Sequence, residues 1–422
     1  MPPSAHAEAE IGGRVQQELA YRFGGHPTLS KALSFLQLEA GERVGAFSRL
    51  TVIGRLFYDG ALDARGAERL NPRLTPADDV SEHFFGAELK EAYLDFFTER
   101  ADVRIGRQIV RWGLLEGARI TDRINPLDFG EFLFRDVEDR YIPLWMVRTD
   151  YYPDWGEFQL LLIPDMTFHR PAPAGSEWEE FETPPGVREP ATSVKNTEVG
   201  ARIGWRVWET DINASYFYTW DDFPAAFRSV FGVGGSPVGV SLDARYERLH
   251  IFGLSLSKSV QKTVVSFEAS YDHGKYLATD AGAMPGNEIK RDTVRWGTGL
   301  DLNLWGVDVS MFYFQEHVLH WEPFIPVSRQ DEAASLMVRE KFMNDRLEAH
   351  LLVLYFNTGH QYVARPGVSW QFTDRVGMTA GVDLLGGERG SNPGDVTGAR
   401  DFRFVGYFRE YDRAHMAVSY RF

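Results

Sequence analysis

The chain has 422 residues, no cysteine, and 60 acidic against 45 basic residues, a formal charge of -15. Without a thiol there can be no disulfide framework, thiolate zinc site, iron–sulfur cluster, cysteine nucleophile or CxxC-type haem attachment, which leaves the chemistry of oxygen and nitrogen groups; no resident cofactor or metal is expected from the motifs below. The acidic balance argues against a general nucleic-acid binder, whose phosphate contacts need a basic surface.

Aromatic residues make up 14% of the chain and 40 glycines are spread along it, a composition that suits strands and turns better than helices. No stretch reaches the roughly 18 consecutive apolar residues of a membrane helix. A transmembrane β-barrel stays open, because its strands place their hydrophobic residues at every second position. The start, MPPSAHAEAE, has no apolar core of a leader, although Ala5-His6-Ala7 before Glu8 resembles the small-x-small end of a cleavage site. Residues 1–9 are expected to be a disordered remnant and residues 10–422 a single barrel.

Alternation with period 2 is the dominant pattern. It first runs from Arg49 to Tyr58, where Arg49, Thr51 and Arg55 carry the polar face. From Thr263 to Asp272, the residues Val264, Ser266, Glu268, Ser270 and Asp272 oppose Val265, Phe267, Ala269 and Tyr271. From Ile289 to Leu304, Arg291, Arg295 and Asp301 oppose Val294, Trp296 and Leu300, and the split recurs at Tyr362–Phe372 and Val376–Leu384. Such strands, of about 10 residues or more, are tall enough to cross a bilayer at a tilt.

Connections alternate in length. Tight ones are expected at Gly41–Arg43, Glu99–Asp102, Pro153–Gly156, Trp208–Asp211, Lys258–Lys262, Trp305–Asp308, Asn344–Arg346 and Thr373–Arg375. Long polar ones fall at Gly60–Phe85, Gly113–Tyr141, Thr167–Ser193, Asp221–Asp243, Gly274–Glu288 and Gly386–Glu410. Short turns at one end and long loops at the other describe an all-β, antiparallel outer-membrane barrel of about 18 strands. Trp145, Trp155, Trp208, Trp220, Trp296, Trp305 and Trp370 fall in turns, near strand ends or on apolar faces, where interfacial girdles would lie. At the C-terminus, Met416, Val418, Tyr420 and Phe422 alternate with His415, Ala417, Ser419 and Arg421. An aromatic-rich last strand ending in Phe422 resembles the signal read by the barrel-assembly machinery of Gram-negative outer membranes. The partners this implies are outer-membrane lipid, lipopolysaccharide and that machinery, and the location is the bacterial outer membrane.

The most distinctive stretch is Gly106 to Arg148. Gly106-Arg107-Gln108, then Trp112-Gly113, then Asn125-Pro126 with Asp128, resembles the GRQ…WG…NP.D signature of an outer-membrane barrel family of unknown function. The run Glu138-Asp139-Arg140 before Ile142-Pro143-Leu144, and Tyr411-Asp412-Arg413 before the last strand, fit the same group. The layout is also similar to alginate-export-type barrels and to the porin partners of porin–cytochrome conduits. The resemblance implies architecture more than cargo.

A barrel of this size has a lumen too wide for wall side chains alone to fill. Its inward charges are expected to be Arg49, Arg55, Arg291, Arg295, Arg339 and Arg365, with Glu268, Asp272, Asp301, Glu348 and Asp383. Such rings select permeants electrostatically, or only keep the lumen wet through cross-strand ion pairs. The strand of the signature is expected to exit at Arg111-Trp112-Gly113, and segment 113–141 to fold inward as a constriction loop. Asp122, Arg123, Asp128, Glu131, Arg135, Asp136, Glu138, Asp139 and Arg140 would then form or brace the narrowing. Enzymatic motifs such as GxSxG, HExxH and a P-loop do not occur. The close pair His317 and His320, and His350 beside Glu348, read better as unliganded than as metal sites.

A porin-like channel for small polar or charged solutes is therefore the expected function. The alternative is a sleeve that insulates a threaded partner such as a multihaem cytochrome.

Overall fold

A computed structural model describes residues 9–64, 84–115, 117, 119–173, 176–179, 186–233, 236–280, 282–389 and 404–422. Twenty strands occur among them. They are β1 (Glu10–Arg22), β2 (Thr28–Arg43), β3 (Ser48–Asp59), β4 (Phe85–Phe97), β5 (Ala101–Gln108), β6 (Leu144–Tyr151) and β7 (Glu157–Ile163). There follow β8 (Glu198–Val207), β9 (Thr210–Trp220), β10 (Ala225–Val233), β11 (Ser236–Arg245), β12 (Arg248–Val260) and β13 (Thr263–Ala278). The last are β14 (Glu288–Leu304), β15 (Val307–Val318), β16 (Gln330–Phe342), β17 (Leu347–Phe356), β18 (Gln361–Gln371), β19 (Val376–Gly386) and β20 (Arg413–Arg421).

Eighteen of these strands form one sheet in which each pairs antiparallel with its neighbours, β12 follows β9, and β1 pairs with both β2 and β20. The sheet is thus a closed barrel with no free edge. β10 and β11 form a separate hairpin in the connection between β9 and β12.

Alternation sorts the two faces. Outward positions on β20 and β1 carry Met416, Val418, Tyr420, Val15 and Leu19, all exposed, while His415, Ser419, Gln16 and Glu18 point inward with the polar set. The same holds on β18, where exposed Tyr362, Val368 and Trp370 alternate with inward Gln361, Arg365 and Ser369. A soluble surface would not expose so many large apolar side chains; a hydrocarbon surround would favour each of them.

The tight connections gather at one end. Trp208 and Glu209 have φ of 47° and 60°, and Trp305 and Gly306 have 53° and 95°, so both pairs are two-residue turns of the mirror-image type that matches strand twist. Trp155, Trp208 and Trp305 are exposed there as an aromatic rim.

Several boundaries differ from those read in sequence. Gly41–Arg43 belongs to β2, and the turn is Val44–Phe47, closed by the Val44 N–H to the Ser48 carbonyl at 2.9 Å. Two connections on the long-loop end are short, residues 23–27 and 357–360. Residues 1–8, and parts of the expected long loops at 65–83, 180–185 and 390–403, lie outside the described residues.

Candidate functional site: the constricted lumen

β5 ends at Gln108, earlier than the exit expected at Arg111–Gly113, and the chain then turns into the barrel instead of continuing up the wall. The residues of the signature stretch make that turn. Gly106 has a φ of 142°, and a Cβ there would lie 2.2 Å from the Ala92 carbonyl oxygen, so only glycine fits. Asn125 is fully buried and closes the neck: its Oδ1 accepts from the Val110 N–H at 2.8 Å, and its Nδ2 donates to the Ile142 carbonyl at 2.8 Å. The Trp112 indole N–H donates to Gln159 at 2.5 Å. A Cβ on Gly113 would strike Asp122 Cβ at 2.7 Å, and Asp122 in turn accepts from the Tyr141 hydroxyl at 2.5 Å.

The near limb of the segment is held by packing and by one carboxylate. Val110, Trp112 and Ile124 are buried against the inward side chains Leu144, Met146, Leu161, Ile163, Phe217, Leu249 and Ile251. Each such aliphatic or aromatic side chain contributes about 1.5–3 kcal/mol when withdrawn from water. Glu268 on β13, fully buried, accepts the N–H groups of Leu114, Leu115 and Thr121. Beside it, Asp272 pairs with loop Arg123 and wall Arg295, each at 3.3 Å, and Arg295 also binds Glu316 at 2.5 Å.

The far limb reaches β1–β4 and β17–β20, so the segment crosses the lumen: β2 stands half-way round the ring from β13. Glu131 meets Lys31 of β2 at 2.6 Å and Arg413 of β20 at 3.6 Å. Asp139 meets Arg55 of β3 at 2.7 Å and Lys90 of β4 at 3.7 Å. Arg365, held by Asp383 at 2.7 Å, donates to the Phe134 carbonyl at 3.4 Å, and Asp383 also meets Arg413 at 2.7 Å. Between the limbs, Asp128 accepts from Gly130 N–H at 2.7 Å and pairs with Arg135 and Arg170. Residues 127–129 bond to the backbone of Arg140 and Arg170, a small sheet across the bore. Toward the long-loop end, Phe132 and Phe134 pack with Trp178, Val363, Leu385, Val405 and Phe408.

Burial and charge pairing in this web pull its ionisable groups in opposite directions. Burial raises the Glu131 carboxyl, but Lys31 and Arg413 outweigh it and hold the group at about 2. Asp139 is likewise lowered despite burial, chiefly by Arg55. Asp136, without a capping hydrogen bond, is pushed up by burial and then by Glu18 and Asp139. At the junction of the loops, burial drives the His169 imidazole well below its usual value, with Arg119 adding to the effect. Its Nδ1 accepts the Leu127 N–H at 2.8 Å, so the neutral ring presents Nε2–H toward Asp222, 3.6 Å away. Burial pushes Asp222 up to about 7 against the pull of Arg119 and Arg123.

Beside the far limb lies a cavity of about 840 Å³. The loops supply Asp128, Glu131, Asp136 and Asp139 with Arg135 and Arg170 to its lining, and the wall supplies Lys31, Arg55, Arg365, Arg413, His350 and His415 with Glu18, Asp59 and Glu88.

The residues expected to line the lumen therefore divide. Glu268, Asp272 and Arg295 hold the near limb; Arg55, Arg365 and Asp383 hold the far limb. Arg339 and Glu348 pair with each other at 3.5 Å lower on the wall. Arg49 binds Glu10 at 2.5 Å near the tight-turn end, where Asp301 is also exposed. Arg291 binds the His320 carbonyl and Glu322 at the long-loop mouth. Glu138 is exposed, and the Arg140 Nε is buried without a hydrogen-bond partner. Sequence reasoning missed Lys31, Lys90, Glu18, His169, Asp222 and Arg413. Lys31 and Lys90 sit beside bulges, at Ala20/Tyr21 and Ile53/Gly54, where the alternation changes phase.

Residues 21–157, which contain the near and far limbs, match a family described as a protein of unknown function (DUF1302). No curated protein matches the chain. Among solved structures, OccAB2 of Acinetobacter baumannii is 11% identical with a TM-score of 0.58, covering 98% of each chain. OccK2 (OpdF) of Pseudomonas aeruginosa, solved in complex with glucuronate, is 12% identical with a TM-score of 0.54, again covering 98% of each. The outer membrane protein OpdK of Pseudomonas aeruginosa is 10% identical with a TM-score of 0.54, covering 98% of this chain and 99% of that one. At these identities the likeness is one of fold.

Proposed function

We propose that the barrel is an outer-membrane channel through which small polar and charged solutes diffuse, narrowed by its own segment 113–141. The observation that carries this reading is the far limb, pinned to the wall by Glu131–Lys31 and Asp139–Arg55 beside a cavity of about 840 Å³, the size range of small-molecule sites. The exposed apolar side chains on the outer face favour a hydrocarbon surround, and the turn asymmetry supports an orientation with the tight turns in the periplasm and the long loops outside. Phe422, exposed just past the end of β20, would be the residue read by the assembly machinery before the barrel closes.

The loop side of the cavity, four acids against Arg135 and Arg170, is net acidic, and the wall side, four bases against Glu18, Asp59 and Glu88, is net basic, which imposes a transverse field on a solute in the cavity. A dipolar molecule aligns in that field and passes with its charges matched; a bulky apolar one gains nothing to offset its desolvation. No covalent step is involved. The sleeve reading would need a bore clear enough for a folded partner, whereas the limbs and their two aromatic and aliphatic clusters cross it and leave room beside them only for small solutes, so the channel is the better-supported function.

Swelling of liposomes that contain the purified barrel tests it. Pentose-sized sugars, zwitterionic amino acids and a sugar acid such as glucuronate, the ligand of the OccK2 structure, should enter, and a tetrasaccharide should not. Absence of swelling with every small solute would overturn the reading.

A further inference from the structure

Among the described residues, the apolar outer face of the barrel gives way to polar side chains near its long-loop end, and one stretch of that rim carries two long basic side chains close to two histidines. At the long-loop end of β12, β13 and β14, the outward positions hold Arg248, His250, His273 and Lys290. These come together in space. His250 and His273 are cross-strand partners with ring centroids 5.9 Å apart. Lys290 runs across Gly274, where an added Cβ would lie 2.8 Å from its Cε and 3.6 Å from the Arg248 carbonyl oxygen. The carboxylate within the patch, Asp292, is occupied by the Tyr271 hydroxyl at 2.5 Å, the His273 Nδ1 at 3.0 Å and the Gly274 N–H at 3.0 Å.

Arg248 is poised rather than satisfied. Its guanidinium lies 4.0 Å over the Trp220 ring and 4.4 Å over Tyr218. One Nη reaches the Lys195 carbonyl at 3.4 Å; the other is shielded and has no hydrogen-bond partner. Aromatic rings favour the headgroup level of a membrane, and Tyr216, Tyr218, Trp220 and Tyr271 surround these cations. Long basic side chains there extend their charge toward the headgroups while burying their stems. In a chain of net charge -15, two long basic side chains on neighbouring stretches of the lipid-facing rim, Arg248 over Trp220 and Lys290 beside Tyr276, are suited to an anion fixed at that depth.

We propose that this patch docks a phosphate of the outer-leaflet saccharolipid, lipid A. Arg248 supplies a guanidinium charge whose weakly held Nη, at 3.4 Å from the Lys195 carbonyl, can turn to a phosphate oxygen, Lys290 a second positive charge, and His250 and His273 polar contacts to the sugar. The proposal rests on the outer-membrane placement and concerns the outer wall, so it stands or falls separately from conduction through the lumen.

Native mass spectrometry of the full-length, delipidated barrel tests it, with diphosphoryl lipid A, the same lipid with its phosphates removed, and millimolar inorganic phosphate as competitor. Wild type should retain diphosphoryl lipid A about tenfold to a hundredfold better than the dephosphorylated form, and a barrel carrying Arg248→Gln and Lys290→Gln should lose that preference. Lys290→Gln alone, at an exposed side chain, gives an intermediate loss and covers the case in which the double variant does not fold. Equal retention of the two lipids, or of one lipid by wild type and variants, overturns the proposal. So does displacement of lipid A by inorganic phosphate, which would mean a site for free anions only. Self-association that ignores lipid A but vanishes in the variants would assign the patch to a second copy of the chain, and also overturns it. Open-channel currents in phosphate-free lipid would persist in every case if the channel reading is right.

Discussion

Glu131→Gln removes the charge that ties the far limb to β2 and β20 while keeping the side chain's size. The carboxylate is held at about 2 instead of 4.5, and its side chain is only 13% exposed. That depression corresponds to about 3 kcal/mol, or a factor of about 300 in the docking equilibrium of the limb. Because the folded-state value is the lower one, the stabilisation is complete above pH 4.5 and fades as the pH falls toward 2. Lys31 keeps Glu18 as a partner, so the substitution frees the limb without leaving a bare buried lysine. In planar bilayers at pH 7 the wild-type barrel should give quiet steps. The variant should show excursions to larger conductance, and the wild type should acquire them progressively below pH 4.5 and match the variant near pH 2. Traces that are identical for the two proteins at pH 7 and unchanged by acid would refute the reasoning.

Three other perturbations probe different parts of the structure. Gly106→Ala forces a Cβ against the Ala92 carbonyl at a φ of 142° and should cost more than about 1–3 kcal/mol, read as a lower temperature for loss of the folded band in gel shift; an unchanged temperature contradicts the neck geometry. Arg295→Glu places a third carboxylate against Asp272 and Glu316 and should cost about 3–5 kcal/mol, so the refolding yield falls; a well-folded variant altered only in ion preference would show that Arg295 serves the open pore instead of the loop. Asp222 has a folded value of about 7 against 3.8 unfolded, so its stabilisation is full below pH 3.8 and is lost as the pH rises to 7. Protection of the Leu127 amide, corrected for intrinsic exchange, should therefore fall between pH 5 and 8 in wild type and stay flat in Asp222→Asn; parallel slopes would contradict this.

The wall of the barrel was legible because each strand meets two different media, and a strand such as β13 writes them as Val265, Phe267 and Tyr271 against Ser266, Glu268 and Asp272. Period 2 fails at bulges, and where inward apolar side chains such as Leu144, Met146, Leu161 and Ile163 pack on the near limb instead of facing water. The shift between Asp272 and Lys275 exchanges the faces at the top of β13, and the one at Ile53/Gly54 hides Lys90. The small hairpin of β10 and β11 escaped notice because it stands outside the alternating wall, in a segment read as a polar loop. The loop's acids were visible as a charge-rich run, but their partners were not: Asp139 and Arg55 are 84 residues apart, and Leu114 and Glu268 are 154 apart. Only closure of the ring, which brings β2 opposite β13, tells which inward arginines hold a loop and which, like Arg49 and Arg291, are tied off at the ends.

Single-channel conductance of the wild-type barrel with neutral polymers of graded size in the bath tests the central claim most directly. A water-filled lumen crossed by segment 113–141 predicts stable open steps that only the smallest polymers reduce. Failure to conduct, or a current reduced equally by polymers as wide as an unobstructed eighteen-strand bore, would contradict it.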